Sequence, residues 1–466
     1  MSAGSRLTDS AQFAHLWGTP ELARVFDERA RLQSWLDIIA ALAAAQAKLG
    51  IIPTQAAEQI AEHAQAERLD LAYVAEQTRA TSHSMLGLIR GLQRLLPESA
   101  REQVYSGATV QDVTDTWFAL VMREVGSMVW RDLRAIEESL LVLALQHRDT
   151  VMVGRTHGQP GAPITFGFKA ASWADEVRRH IDRLREGRPR WLVAQLGGAV
   201  GVLGFFAPQG PALRAQFCTE LGLGDPGISW LTSRDRVAEF GGVLSMVCGT
   251  LARIGNEVYE LQRPEIGELS EPPSPGAVGS ITMPHKRNPE GSEHLDTLAR
   301  LVRANAAVLV EGMVVAHERD GRGWKAEWSA LPEVCLLAGV ALQLARTLVS
   351  GLVVDAEQMS ANLSRHGDHL VSERLLSALT PRLGKHVAQQ LMHDALRDVG
   401  ADEGLRGVVA AVVATGVATQ QECEAWADGW AVGAAGEMVD TVVARARAAR
   451  RVASRDGMSC PSTGPM

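Results

Sequence analysis

Cysteine is scarce in this chain: five in 466 residues, scattered at Cys218, Cys248, Cys335, Cys423 and Cys460. No C-x-x-C pair or Cys/His cluster has zinc spacing, and an odd, dispersed set does not make a disulfide framework. Buried spectator thiols in a reducing compartment are the expectation. Positive charge is not in excess either, since the formal net charge is -8 and Lys and Arg are spread along the chain. That argues against a protein whose main partner is nucleic acid, which needs a basic face. The opening MSAGSRLTDSAQF lacks a basic start followed by an apolar run, so no secretory leader is read there. Apolar stretches such as Leu140 to Leu145 fall far short of a membrane span. The expectation is a cytoplasmic protein without membrane or nucleic-acid partners.

Alternating strand patterns are also few, and helical periodicity fills the space. Between Arg31 and Leu49 the residues Leu32, Leu36, Ile39, Leu42, Ala43 and Leu49 recur at helical spacing, with Gly50 as a stop and Pro53 beyond it. Helix-like stretches recur at about 114–149, 164–188, 233–263, 291–317 and 328–350. An all-α fold of long packed helices follows, and the length predicts two or three domains. The expected division is an N-terminal helical domain over 1–112, a central long-helix bundle over 113–356 and a C-terminal helical domain over 357–450. A disordered tail is expected over 451–466.

Three breaks interrupt the helices: VYSGATVQD near 104–112, MVGRTHGQPGAP at 152–163 and ELSEPPSPGAVGSITMPHKRNPEG at 268–291. Gly, Pro, Ser and Thr gather there with the polar residues best suited to chemistry. The third is long for a connection inside a compact helical protein, as functional lids or disordered segments are. QLGGAVGVLG (Gln195 to Gly204) lacks the G-x-G-x-x-G spacing and any β-α-β setting, so it reads as a place of tight backbone approach rather than a dinucleotide site.

GSITMPHKRNP (Gly279 to Pro289) closely resembles the G-S-S-x-M-P-x-K-x-N-P motif of the fumarase/aspartase superfamily. VGRTHGQPGAPITFGFKAASW (Val153 to Trp173) and SGATVQDVTDT (Ser106 to Thr116) resemble the family's other two segments. TPELARVFDERARLQSWLDIIAALAAAQAKLGIIP (Thr19 to Pro53) is similar to the start of adenylosuccinate lyases and 3-carboxymuconate cycloisomerases. The resemblance implies three helical domains, no cofactor and no metal. It also implies a homotetramer whose active sites each take one segment from each of three subunits.

The family reaction removes a proton α to a carboxylate and expels a group from the neighbouring carbon. It needs a base, donors around the carboxylate dianion, and often an acid for the leaving group. On the resemblance, Ser280 is the base and Lys286 and Asn288 bind the carboxylate that gathers charge. A serine hydroxyl is a poor base unless positive charge and amide donors hold it as an alkoxide; Lys286 and the Gly-rich loop supply both. A turn serine and a solvated lysine are the plainer alternatives. His157 matches the family histidine, Glu293 the carboxylate that orients it, and Thr156 a substrate-binding threonine. Thr109 and Gln111 would contact the second carboxylate. His83 in TSHSM resembles a histidine placed near the leaving group in adenylosuccinate lyases, with helix capping or packing as the alternative. Arg234, Arg236 and Arg319 are further anion-binding candidates; His294 is expected to be structural.

Departures from the family pattern bear on the substrate. Ile281 stands where the motif has its second serine and Val110 where T-S-x-D has its serine. Both remove a hydroxyl, so a drier or differently shaped pocket is expected. Trp324, Lys325 and Trp328 in HERDGRGWKAEWSALPE occupy positions where adenylosuccinate lyases hold a nucleotide phosphate, and Leu16 and Trp17 replace an Arg-Tyr pair. Adenylosuccinate is therefore excluded as substrate. The W-K-A-E-W run resembles the cycloisomerase branch, whose members tend to carry Trp where His157 stands. Nitrosuccinate lyases of antibiotic biosynthesis lie close to that branch. The expectation is a carbon-nitrogen lyase that releases fumarate from a small C2-substituted succinate, nitrosuccinate first. The cycloisomerase reaction is the alternative, and an inactive crystallin-like structural role is the alternative of another class.

Overall fold

A computed structural model describes residues 7–273, 276, 278–398 and 404–455. Five long helices make the bundle at its centre: Val110–Gln146, Phe166–Trp191, Asp235–Leu261, Glu290–Glu311 and Gly321–Ser350. The longest has 37 residues and so runs about 55 Å. Thr109, with extended backbone, starts it, and the Asp112 carboxylate reaches back to accept the Thr109 N–H at 2.9 Å. Along it Phe118, Met122, Val125, Val129, Leu133, Ile136 and Leu140 return every three to four residues and are buried. The Phe166–Trp191 and Gly321–Ser350 helices pack on this one, and Asp235–Leu261 packs on Glu290–Glu311.

The N-terminal helix Glu28–Lys48 shares the bundle's apolar core through Leu32, Leu36, Ile39 and Leu42. Residues 375–423 have a core of their own around Leu375, Leu379, Met392, Val412 and Cys423. The last helix, Ala435–Arg455, returns to the bundle, where Val439, Val443 and Ala446 join the main core. The disordered tail expected over 451–466 starts too early, since this helix continues to Arg455; residues 456–466, with Cys460, lie outside the described residues.

Most helix ends fall within four residues of expectation, but the 290–311 helix stops at Gly312 rather than continuing to 317, and the helix expected from 328 begins at Gly321. The break at 152–163 is an antiparallel hairpin, Val151–Thr156 with Gln159–Thr165. Helices Asp235–Leu261 and Gly321–Ser350 are long and apolar enough by composition to cross a bilayer; most of each apolar run is buried against neighbouring helices. Cys218, Cys248, Cys335 and Cys423 are buried, and burial pushes the Cys218 thiol up to about 11 and that of Cys248 to about 12. They are spectators at neutral pH.

Candidate active site

The hairpin turns through His157 and Gly158, both with left-handed backbone (φ 54° and 74°). Two such residues in a row make the tight turn whose twist matches the flanking strands. Thr156, His157 and Gly158 are all exposed, and a Cβ added at Gly158 would meet nothing within 4 Å. The imidazole therefore stands at the tip of a projecting ribbon.

The 268–291 loop is pinched at its base. The Glu271 carboxylate accepts the N–H groups of Gly291 (3.3 Å) and Ser292 (2.7 Å), the first turn of the Glu290–Glu311 helix. Farther out, Asn288 donates its amide to the Gly279 carbonyl at 2.8 Å. A Cβ at Gly279 would lie 2.4 Å from the Lys286 carbonyl, so only glycine allows the two limbs to close. Ser280 Oγ accepts the Met283 N–H at 3.0 Å. Lys286 and Glu293 are exposed, and Ile281 is 94% exposed at the loop's apex.

A third group of residues lines a cavity of about 430 Å³, bounded by Gly107, Ala108, Thr109, the Gly197–Ala199 backbone, Val200, Val202, Phe205 and Arg319. Arg319 donates to the carbonyls of Ala199 (2.9 Å) and Gly198 (3.3 Å). Asp112, which no sequence argument singled out, organises the floor: its carboxylate accepts N–H groups from Thr109, Gly197 and Gly198 at 2.8–3.0 Å. Gly197 is where the tight approach falls, since a Cβ there would lie 2.6 Å from Ser229 Oγ. Tyr105 was also missed. Its φ is 61°, its hydroxyl is buried without a hydrogen-bond partner, and burial with Asp112 nearby raises its pKa, keeping it a neutral donor.

Two candidates sit beneath the site rather than on it. Gln111 is buried and gives its amide to the Leu231 carbonyl at 2.7 Å. Arg234 is 2% exposed and held between Asp115 (2.7 and 3.0 Å) and Glu327 (2.5 and 3.0 Å), so its guanidinium is saturated by protein carboxylates. Arg236 lies over the Trp230 ring and donates to the Arg190 carbonyl. His83 is a helix cap: its Nδ1 accepts the Leu86 N–H at 3.1 Å and the Met85 N–H at 3.4 Å. An accepting Nδ1 leaves the proton on Nε2 of the neutral ring. His294 bonds the Leu16 carbonyl at 2.7 Å and meets the Trp17 ring edge-on, a structural role.

One chain thus gathers Ser280, Lys286 and Asn288 in a loop with Glu293 just beyond it, and Thr109 with Arg319 in a cavity. His157 and Thr156 stand alone on the hairpin. Among the described residues no hydrogen bond or ion pair joins His157 to Glu293 or to Ser280. The expected His–Glu pair is not made within one chain: His157 is exposed at the hairpin tip and Glu293 is exposed on the first turn of the Glu290–Glu311 helix.

The sequence pattern of a lyase family matches residues 17–304. The chain is 42% identical to the N-acetyl-S-(2-succino)cysteine lyase of Dickeya dadantii over 84% of its own length and 86% of the relative's. It is 38% identical to the nitrosuccinate lyase of Streptomyces davaonensis, covering 83% of each. The crystal structure of the 3-carboxy-cis,cis-muconate lactonizing enzyme from Pseudomonas putida superposes with a TM-score of 0.85 at 33% identity, over 94% of this chain and 99% of that one.

Proposed function

The chain belongs to this lyase family, within the fumarase/aspartase superfamily, and from that premise we propose that it releases fumarate from a C2-substituted succinate. The observation that carries the reading is the amide donated by Met283 to Ser280 Oγ at 3.0 Å. A backbone N–H on a serine oxygen stabilises the alkoxide form, which is what a serine needs to act as a base. Ser280 takes the proton from C3. Lys286 and the second N–H of Asn288 hold the carboxylate on that carbon as its charge grows. The electron pair then forms the C2=C3 bond as the leaving group departs from C2.

The leaving group we favour is a thiolate, from a succino thioether of an N-acylated cysteine type, rather than the nitrogen group expected from the sequence. A cavity of about 430 Å³ is roomier than a nitro group requires. It offers Arg319 for a carboxylate and Val200, Val202 and Phe205 for an apolar acyl cap. The identity to the succinocysteine lyase supports the same choice. Nitrosuccinate is the second reading, supported by the 38% identical relative and by the hydroxyls lost at Ile281 and Val110. Both anions leave with little proton assistance. The exposed positions of His157, Glu293 and the Ser280 loop support a homotetramer in which sites are completed between subunits.

The test is a panel of N-acetyl-S-(2-succino)cysteine, nitrosuccinate, 3-carboxymuconate, aspartate and adenylosuccinate under one condition. Fumarate and N-acetylcysteine in equal amounts are expected. Fumarate with nitrite only from nitrosuccinate would select the second reading. Lactone without fumarate would sink the elimination altogether.

A further inference from the structure

The base of the hairpin that carries His157 packs on the helix Ala356–Leu370, where Val151 and Val153 meet Leu363 and Leu370, and among the described residues one charged contact joins the hairpin to the rest of the chain. Arg155, two residues before the tip, lays its guanidinium on the Glu268 carboxylate with both N–H···O distances at 2.8 Å. Glu268 is completely buried, and Arg155 keeps 18% of its side chain exposed. Asn362, from the helix Ala356–Leu370 and 2% exposed, donates to the same carboxylate at 2.8 Å and to the Ile266 carbonyl at 2.8 Å. The backbone of Glu268 is fixed as well: its N–H bonds the Leu261 carbonyl at 2.9 Å, and its carbonyl accepts the Asp355 N–H at 3.0 Å. Glu268 immediately precedes the short strand Leu269–Ser270, paired with Val353–Val354, from which the Ser280 loop departs.

The position matters because of what else is lacking. Beyond its own ladder, the outer half of the hairpin, residues 155–161, has no other side-chain hydrogen bond to the body of the protein among the described residues. The ladder is itself interrupted there. Val153 faces Pro163 and Arg155 faces Pro160, so Gly161 and Ala162 form a bulge opposite Gly154. A bulge disrupts the ladder locally and bends the ribbon, so the direction of the outer half is set by what it contacts beyond the bulge. A bidentate guanidinium–carboxylate pair fixes orientation as well as distance, and a buried one cannot lose a partner without leaving an uncompensated charge.

We propose that Arg155 is a positioning residue: through Glu268 it locks the His157 hairpin to the root of the Ser280 loop, so the two segments hold their places together. In the reading above, on which this rests, those segments serve different active sites of a tetramer, and the contact then links neighbouring sites through one chain.

The experiment compares Arg155→Gln, Arg155→Lys, Glu268→Gln and Asn362→Ala in the full-length protein. Fumarate release is measured together with amide hydrogen exchange over 151–165 and 278–291. Arg155→Gln should lower kcat by about tenfold or more, the scale of a small misplacement of catalytic groups, with KM within about threefold. Arg155→Lys, which keeps charge but not the fork, should recover part of the loss. Exchange should rise in both segments at once in Glu268→Gln, while the 110–146 helix stays protected. Should that variant fail to fold, Asn362→Ala, which leaves the ion pair intact, should show the same paired rise in smaller measure. A lowered Tm with unchanged kcat and unchanged exchange would overturn the proposal, as would a rise confined to the hairpin. Exchange does not depend on turnover, so wild-type inactivity on every substrate would refute the functional reading and leave this test standing.

Discussion

Asn288 donates its side-chain amide to the carbonyl of Gly279 at 2.8 Å, so the residue expected to hold the substrate carboxylate also clasps the loop that carries Ser280. One N–H of the amide is used internally and one remains for substrate. Asn288→Ala should therefore do more than weaken binding. With the clasp gone, kcat should fall by about 10²-fold, the cost of a displaced catalytic group, and the Ile281–Arg287 segment should become more sensitive to limited proteolysis. A rise in KM with unchanged kcat and proteolysis would reduce Asn288 to a binding residue.

Ser280→Ala removes the proposed base without disturbing a packed side chain. Turnover should drop by about 10²–10⁴-fold, the range for a positioned acid or base, with unchanged thermal stability. Near-normal turnover would move the base elsewhere, His157 first.

His83 permits a cleaner separation, because its two nitrogens do different work. Nδ1 accepts the Leu86 and Met85 amides, and Nε2 therefore carries the proton. His83→Asn can still cap the helix but has no Nε2–H. Release of a thiolate or nitrite should slow by less than about tenfold, since neither anion needs much help. A loss of helix stability in His83→Asn would show that capping depends on the imidazole itself.

The His180 network gives a pH prediction away from the site. Arg183 donates to Nδ1 (3.1 Å), so Nε2–H donates to Thr250 Oγ1 (2.7 Å), and Thr250 donates to Glu176 (2.6 Å). Burial, then Arg183, hold the imidazole down at about 4 from its ordinary 6.5, against the pull of Glu176. A depressed histidine binds its proton more readily in the unfolded chain. Its contribution is present above pH 6.5 and is lost as pH falls towards 4, at most about 3 kcal/mol. Tm should therefore fall between pH 6.5 and 5, before most carboxylates titrate, and His180→Gln should flatten that slope. An equal slope in the variant would assign the acid sensitivity to other groups.

The helices were legible in the sequence because burial repeats every three to four residues: Phe118, Met122, Val125, Val129 and Leu133 need only the bundle to bury them. The Ser280 loop was legible because a long motif leaves little freedom in reading it. The 151–165 hairpin was not. It is a short ribbon rich in Gly and Pro, and its His157-Gly158 turn lacks the Asn-Gly or Asp-Gly signal. Gln111 and Arg234 illustrate another limit, since residue type and position near a motif do not tell which way a side chain faces. Gln111 points at Leu231, 120 residues on, and Arg234 is consumed by Asp115 and Glu327. Tyr105 escaped because its signal is a backbone angle and an unpaired hydroxyl, which only coordinates reveal.

The separation of His157 from Ser280 leads to the last prediction. Each belongs to a projection exposed in the single chain, and the apex between Val278 and Met283 is largely apolar, with Val278 69% and Ile281 94% exposed. Apolar tips beside catalytic polar groups fit burial against another copy of the chain better than exposure to water. If sites are completed between subunits, Ser280→Ala and His157→Ala damage different sites of one assembly. Each variant alone should be nearly inactive. Mixed under conditions that let subunits exchange, the pair should regain activity, because some sites then receive an intact Ser280 loop from one variant and an intact hairpin from the other. With random mixing in equal amounts, a site that draws the two segments from different subunits has a one-in-four chance of receiving both intact, so recovery should approach about a quarter of wild-type turnover. Recovery should also require the assembled form, so dilution below the assembly's dissociation range should abolish it. No recovery after demonstrated exchange, or full activity in a monomer by sedimentation, would place both residues in one chain's site. The 151–165 hairpin and the Ser280 loop would then have to close towards each other on substrate binding.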